Sequence, residues 1–191
     1  MSDQYGVARA ANRVERSFAF VDLSGFTAFT DSEGDDRAVE ILAAFRTLVR
    51  DVASAHAVRV AKWLGDGAML VGVESEPLIE AIVDLEHRID DIGSPLPLRA
   101  GIAAGRVILF EGDDYIGRPV NLASRLCDLA DPHEVLAERI AVSPLLVNTA
   151  VEPVGRHEIA GMLEPVDVVR LTSSAAAAAR AETSAAPPEI R

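Results

Sequence analysis

The chain has 191 residues, 49% of them hydrophobic but only 5% aromatic, and a formal net charge of -12. That length fits one domain, or one domain and a tail, with enough chain to bury a core. Only 18 Lys and Arg stand against 30 Asp and Glu, so the chain lacks the basic footprint that coats nucleic acid or an anionic membrane, and proteins or small molecules are the expected partners.

Residues 1–16 carry scattered charges and small side chains and read as an N-terminal segment able to form a short helix. Phe18 to Leu23 is an apolar run broken by one acid, Asp22, and closed by Ser24-Gly25, the pattern of a buried strand with a turn. Arg37 to Ala53 spaces Val39, Leu42, Phe45, Val49 and Val52 as an amphipathic helix. Val58 to Leu64 and Ala68 to Val73 flank Gly65-Asp66-Gly67, which predicts a hairpin. Leu78 to Ile92 returns to helical period, and Leu96 to Phe110, interrupted by Gly101 and Gly105, reads as two strands. Pro119 to Leu129 is predicted helical, Glu134 to Ala137 a short strand, Ala141 to Thr149 a helix, and Val151 to Leu171 a closing strand pair around Gly161. Residues 172–191, TSSAAAAARAETSAAPPEIR, offer almost nothing to a core and read as a disordered tail. The domain is therefore expected over residues 17–171, an α/β or α+β fold with a mixed or antiparallel sheet.

The lone Cys127 cannot form an internal disulfide, and no Cys/His spacing suits zinc, which points to a reducing, cytoplasmic compartment. No apolar run approaches the roughly 18 residues of a membrane span, and the first residues lack a signal-peptide core, so a soluble, unexported protein is expected.

Three places carry possible chemistry. Asp22 sits inside an apolar strand, where a carboxylate must find a partner or a metal; capping of the following helix is the plain alternative. The turn after it, Leu23-Ser24-Gly25-Phe26-Thr27, presents backbone N–H groups at a helix start, which suits phosphate oxygens. Asp66 occupies a hairpin tip, a position that needs no function. If the first strand lies beside that hairpin, Asp22 and Asp66 become a pair of oxygen ligands suited to magnesium or manganese. In DDYIGRPVNLASRL, Asn121 and Arg125 share a helix face, a spacing as common on a solvated surface as in a site, and Asp114 ends an acidic turn whose default reading is solvation. Lys62 lies in an apolar strand and must snorkel or find an acceptor. His56, His87, His133 and His157 are scattered without ligand spacing and read as structural or surface residues.

In order and separation, FVDLSGFT, KWLGD, LRAGIAAG and DYIGRPVNLASR closely resemble the catalytic domain of the class III nucleotidyl cyclases, from about Phe18 to the closing HEIAGMLEPVDVVRL. The resemblance implies a ferredoxin-like α/β sandwich, a central, mainly antiparallel sheet flanked by helices, assembled as a head-to-tail homodimer with shared sites. It implies an adenylate cyclase that converts ATP to cyclic AMP and pyrophosphate with two Mg²⁺ or Mn²⁺ ions. Asp22 and Asp66 match the metal-binding aspartates, with the Leu23 carbonyl on the second ion. Lys62 and Asp114 match the purine-reading pair, Asn121 and Arg125 the pair that orients the ribose and stabilises the transition state, and Arg99 a triphosphate contact. Phe26 and Thr27 join the substrate set through the phosphate-facing turn. Lys62 can only donate and ionised Asp114 only accept, which favours adenine over guanine; Asp113 is a neighbour out of register with Asn121. Two departures stand out: Ala160-Gly161 replaces a Lys-Gly pair near the triphosphate, and the stretch from Gly105 to Asp114 is short, as in the bacterial subset with an abbreviated dimerisation arm. A guanylate cyclase, or a cyclase-like domain that binds nucleotide and regulates without turning it over, are the alternatives.

Overall fold

Strand β1 (Arg13–Leu23) runs through the middle of an eight-stranded sheet in the computed structural model, which describes residues 13–110 and 114–178. Helices α1 (Phe26–Glu33) and α2 (Asp35–Ala55) follow, then a hairpin of β2 (Arg59–Leu64) and β3 (Gly67–Gly72), then α3 (Ser75–Asp91). The long β4 (Leu98–Phe110) turns into the short β5 (Asp114–Ile116), and α4 (Arg118–Leu129), β6 (Glu134–Glu138), β7 (Thr149–His157) and β8 (Val166–Ser173) complete the fold. The strand order is β2-β3-β1-β4-β6-β8-β7 with β5 paired to β4, and every pairing is antiparallel except β4 with β6. This is the mainly antiparallel, helix-flanked α+β sheet that the sequence predicts.

Period-two alternation in β1 creates two cores. Ala19, Val21 and Leu23 face one side, where they meet Phe45, Val49 and Val52 of α2 and Leu78, Ile82 and Leu85 of α3. Phe18 and Phe20 face the other, against Leu122, Ala123 and Leu126 of α4. Strand β3 is buried on both faces, which explains why GAMLVG is a continuous apolar run rather than an alternating one.

Several expectations need correction. Residues 13–16 extend β1 instead of forming a helix, because Arg13 to Arg16 pair with Ile108 to Gly105 of β4; residues 1–12 lie outside the described residues. Residues 26–33 are a helix of their own, set off from α2 by Gly34. The stretch read as two strands is one, β4, with both glycines retained in its ladder to β1. No helix spans Ala141 to Thr149: a 3₁₀ turn at Arg139–Ala141 ends there, and the chain runs irregularly to β7. Pro144 cannot donate to a helix ladder, Leu145 and Val147 are 73% and 81% exposed while Val142 and Leu146 pack on the core, and the N–H groups of Val147 and Asn148 instead donate to Glu80 Oε1 at 3.1 and 3.2 Å. Of the segment read as a disordered tail, Thr172 and Ser173 belong to β8 and residues 174–178 are helical; residues 179–191 lie outside the described residues.

Gly101 carries the seating of α4. A Cβ there would lie 2.1 Å from the Cys127 nitrogen and 2.3 Å from the Ala123 oxygen, so the helix backbone rests directly on the strand. Gly101→Ala should therefore cost about 3 kcal/mol, as overpacking against immovable backbone does. Urea denaturation reads this as a lowered midpoint; an unchanged midpoint would mean that α4 is not held where this contact puts it.

Candidate active site

Asp22 projects from β1 onto the α4 side of the sheet, between two register partners, Arg99 of β4 and Gly67 of β3. Arg99 donates Nε and Nη2 to Asp22 Oδ2 at 3.0 and 2.6 Å, and its Nη1 reaches the Asp128 carbonyl at 3.5 Å. Both side chains are mostly shielded, 29% and 25% exposed, so the pair answers the cost of a carboxylate in an apolar strand. The hydrogen bond to Asp22 raises the Arg99 pKa further. Gly67 lets the hairpin approach: a Cβ there would lie 2.6 Å from the Val21 oxygen and 3.2 Å from Asp22 Oδ1.

Asp66 occupies the two-residue turn Gly65-Asp66, since Leu64 pairs with Gly67. Burial pushes its carboxyl above the ordinary value and the charge of Asp22 adds to this, against a backbone hydrogen bond and Arg99, which lower it. The two aspartates lie within electrostatic reach of one another. Two such half-buried carboxylates suit a hard divalent cation, and the Cys127 thiol in the Asp22 cleft is held neutral by burial. From α2, Arg46 donates to the Gly65 carbonyl at 3.1 Å, and Arg46 and Arg50 each stack 5.1 Å from the Trp63 ring centre. Those contacts fix the turn that holds Asp66.

Lys62 reaches the same side of the sheet through a bulge. The β2–β3 register shifts between Val60 and Lys62, so that Lys62 stands opposite Met69, itself in the α4-side core, and Ala61 also packs there. Lys62 Nζ pairs with Asp114 Oδ1 at the start of β5. Strand β5 is laid over this face by its pairing to β4 and by the edge-on contact of Tyr115 with Phe18, 5.2 Å between ring centres. The two residues assigned together from sequence thus meet across 52 positions of chain; Asp113 lies outside the described residues.

Asn121 and Arg125 are exposed and one turn apart on α4, whose other face is buried. Arg125 Nη1 lies 3.4 Å from Asp128 Oδ2. Asn121 lines a cleft with Arg118, the buried Glu138 and the loop around Gly161, and Ala160 belongs to that loop. A separate cleft holds Asp22, Arg99, Ser124, Cys127 and Asp128, and its lining includes none of Lys62, Asp114, Asn121 and Arg125 among the described residues. Leu23 is 2% exposed with its side chain in the core, which leaves its backbone as the group it can offer. Phe26 and Thr27 open α1, whose N-terminus has no side-chain cap, leaving first-turn N–H groups available.

Sequence reading missed Ser124 and Asp128, which line the Asp22 cleft. They are four apart on α4, a signal that the helical period contained. Arg46 and Trp63 carried no signal, because their contact depends on where α2 lies against the hairpin.

No family model matches the chain. Among solved structures, the adenylyl cyclase CyaB of P. aeruginosa superposes with a TM-score of 0.77 at 22% identity, covering 85% of this chain and 96% of that one. The guanylate cyclase domain of RhGC from Catenaria anguillulae, solved in complex with GTP, gives 0.75 at 16% identity, covering 85% of this chain and 99% of that one. The fold is that of the class III nucleotidyl cyclase catalytic domains. Among curated proteins similar to this chain, an uncharacterized protein of Mycobacterium tuberculosis is 41% identical over 118 residues, 62% of this chain and 31% of that protein. The pH-sensitive adenylate cyclase of the same species is 35% identical over 118 residues, 62% of this chain and 29% of that protein. The chain therefore spans about a third of the length of the curated relatives it matches.

Within this fold, burial pushes the Cys127 thiol up to about 12, and the charge of Asp22 acts in the same direction. At pH 8 the folded chain should resist iodoacetamide and label fully after unfolding in urea, as mass spectrometry will read. Labelling of the folded chain at the rate of a free thiol would contradict the seating of α4.

Proposed function

We propose that this chain is an adenylate cyclase domain that works as a homodimer with two shared sites. The observation that supports this best is the division of the candidate residues. Asp22 and Arg99 line one cleft with Asp66 in electrostatic reach, Asn121 lines another, and the Lys62–Asp114 pair lines neither. The first set and the other two are each half of a site, and a two-fold pairing of copies would unite the halves twice.

Asp22 and Asp66, with the Leu23 carbonyl, would hold two Mg²⁺ or Mn²⁺ ions, whose chemistry there is to acidify the ribose 3′-hydroxyl and neutralise the departing pyrophosphate. Arg99 leaves its bond with Asp22 for the triphosphate, an exchange of one anion for another that keeps the guanidinium paired. The uncapped first turn at Phe26 and Thr27 donates backbone N–H groups to phosphate oxygens. From the other copy, Asn121 holds the ribose in line for attack and Arg125 meets the negative charge that develops on the α-phosphate. Lys62 donates to adenine N1 and Asp114 accepts from the 6-amino group. Guanine reverses both demands and would leave both side chains mismatched. No protein nucleophile is needed, in keeping with a thiol held neutral by burial.

Purified protein incubated with Mn-ATP should yield cyclic AMP, and Mn-GTP in parallel should yield far less cyclic GMP. Arg125→Ala should lower kcat by about 10²- to 10³-fold, the usual cost of one transition-state donor, with little change in KM. Preferential turnover of GTP would overturn the base assignment, and no turnover of either nucleotide by a dimeric sample would favour a binding or regulatory domain.

A further inference from the structure

We propose that Glu138, together with Arg118, reads the ribose 2′-hydroxyl of the substrate, so that the site selects ribonucleoside over 2′-deoxyribonucleoside triphosphates. This rests on the reading that Asn121 holds the ribose, and it assigns a hydroxyl that Asn121 leaves unaddressed.

Alternation along β6 sets Glu138 on the α4 side of the sheet, two residues after Leu136, which packs in the α4-side core. There it meets Arg118 at the start of α4, and both line the cleft that holds Asn121, three residues further along the same helix. The Glu138 side chain is 10% exposed, and a carboxylate so shielded needs partners for its lone pairs. It offers about four acceptor sites. Arg118 Nη1 fills one of them, at Oε1, at 2.8 Å, and Oε2 is buried with no partner. Among the described residues no other buried carboxylate oxygen is left so. Arg118 is half exposed and commits only that nitrogen to Glu138, so donors of its own remain for a ligand.

The missing partner is a hydrogen-bond donor able to enter the cleft. Three carboxylates line it, Glu138, Glu164 and Asp167, against one guanidinium, so the lining turns away a phosphate. A metal ion is disfavoured too, since among the described residues Glu138 belongs to no cluster of metal-ligating side chains and already faces a guanidinium. An alcohol fits. Its O–H donates to the carboxylate while its oxygen accepts from Arg118, which are the two demands that this half-satisfied pair presents together. The terminal torsion of a glutamate is soft, so either oxygen can turn to the ligand while the other keeps Arg118. On a nucleotide whose ribose Asn121 holds and whose 3′-oxygen attacks, the remaining alcohol is the 2′-hydroxyl.

The test is isothermal titration of the whole chain, in the presence of Mn²⁺, with α,β-methylene-ATP, which cannot be cyclised, and with its 2′-deoxy analogue. Cyclic AMP formation from Mn-ATP is measured on the same sample. The ribose form should bind at least about tenfold more tightly, as loss of a hydrogen bond to a charged group implies. Glu138→Leu, which removes the acceptor, should bring the two affinities to within about twofold. Glu138→Gln, closer in shape, should shrink the ratio about threefold, because it trades a charged acceptor for a neutral one. A merely structural role would weaken both analogues alike and leave the ratio unchanged. Equal binding of the two analogues by the unmodified chain, binding of neither, or a ratio that survives both variants would overturn the proposal. Cyclic AMP formed alongside equal binding would leave the cyclase reading standing without it, and a ribose preference with no cyclic AMP would do the reverse.

Discussion

Asp22 occupies a strand position between Val21 and Leu23, each 2% exposed, and a carboxylate placed there has to be compensated. Much of the molecule around it does this. Its β4 neighbour is Arg99, its β3 neighbour is a glycine that lets the hairpin close in, and the hairpin turn brings a second carboxylate within electrostatic reach. Filling Gly67 or moving the hairpin would strand the acid. The same arrangement that makes Asp22 tolerable for the fold also assembles a set of oxygen donors beside a cation, which is what metal-assisted phosphate chemistry requires.

The two faces of the sheet divide the work. Helices α2 and α3 cover one face with the larger hydrophobic cluster, and α2 also steadies the Asp66 turn through Arg46. The other face carries α4 and β5 and every side chain assigned to charged chemistry in the proposed reaction. Two local devices keep it so: the bulge after Val60 brings Lys62 to that face, and Gly101 lets α4 lie close enough for Cys127 and Asp128 to wall the Asp22 cleft. Asn121 and Arg125 then fall on the outer side of α4, away from the sheet, where a second copy could meet them.

Residue patterns revealed most of this and missed what depends on long-range contacts. The hairpin at Gly65-Asp66, the buried strand around Asp22 and the amphipathic helices were legible because turn chemistry and periodicity are local signals. The meeting of Lys62 with Asp114 was legible only through resemblance, since their spacing in sequence says nothing of a contact. Gly101 and Gly105 misled, because both stay in one strand: Gly101 admits the α4 backbone, and Gly105 stands against the Pro119 ring. The run after Ala141 misled for the opposite reason: its apolar residues imitate a helix, but Pro144 interrupts it and only Val142 and Leu146 reach the core while Leu145 and Val147 stay exposed.

The central claim is that a complete site needs two copies of the chain, one contributing Asp66 and the other Asn121. It is tested most directly by mixing an Asp66→Ala chain with an Asn121→Ala chain, each inactive alone, and measuring cyclic AMP formed from Mn-ATP. Random pairing leaves one intact site in each mixed dimer, so the mixture should recover roughly a quarter of the unmodified rate. A mixture that stays inactive while mixed dimers are demonstrated in the same sample would contradict the account.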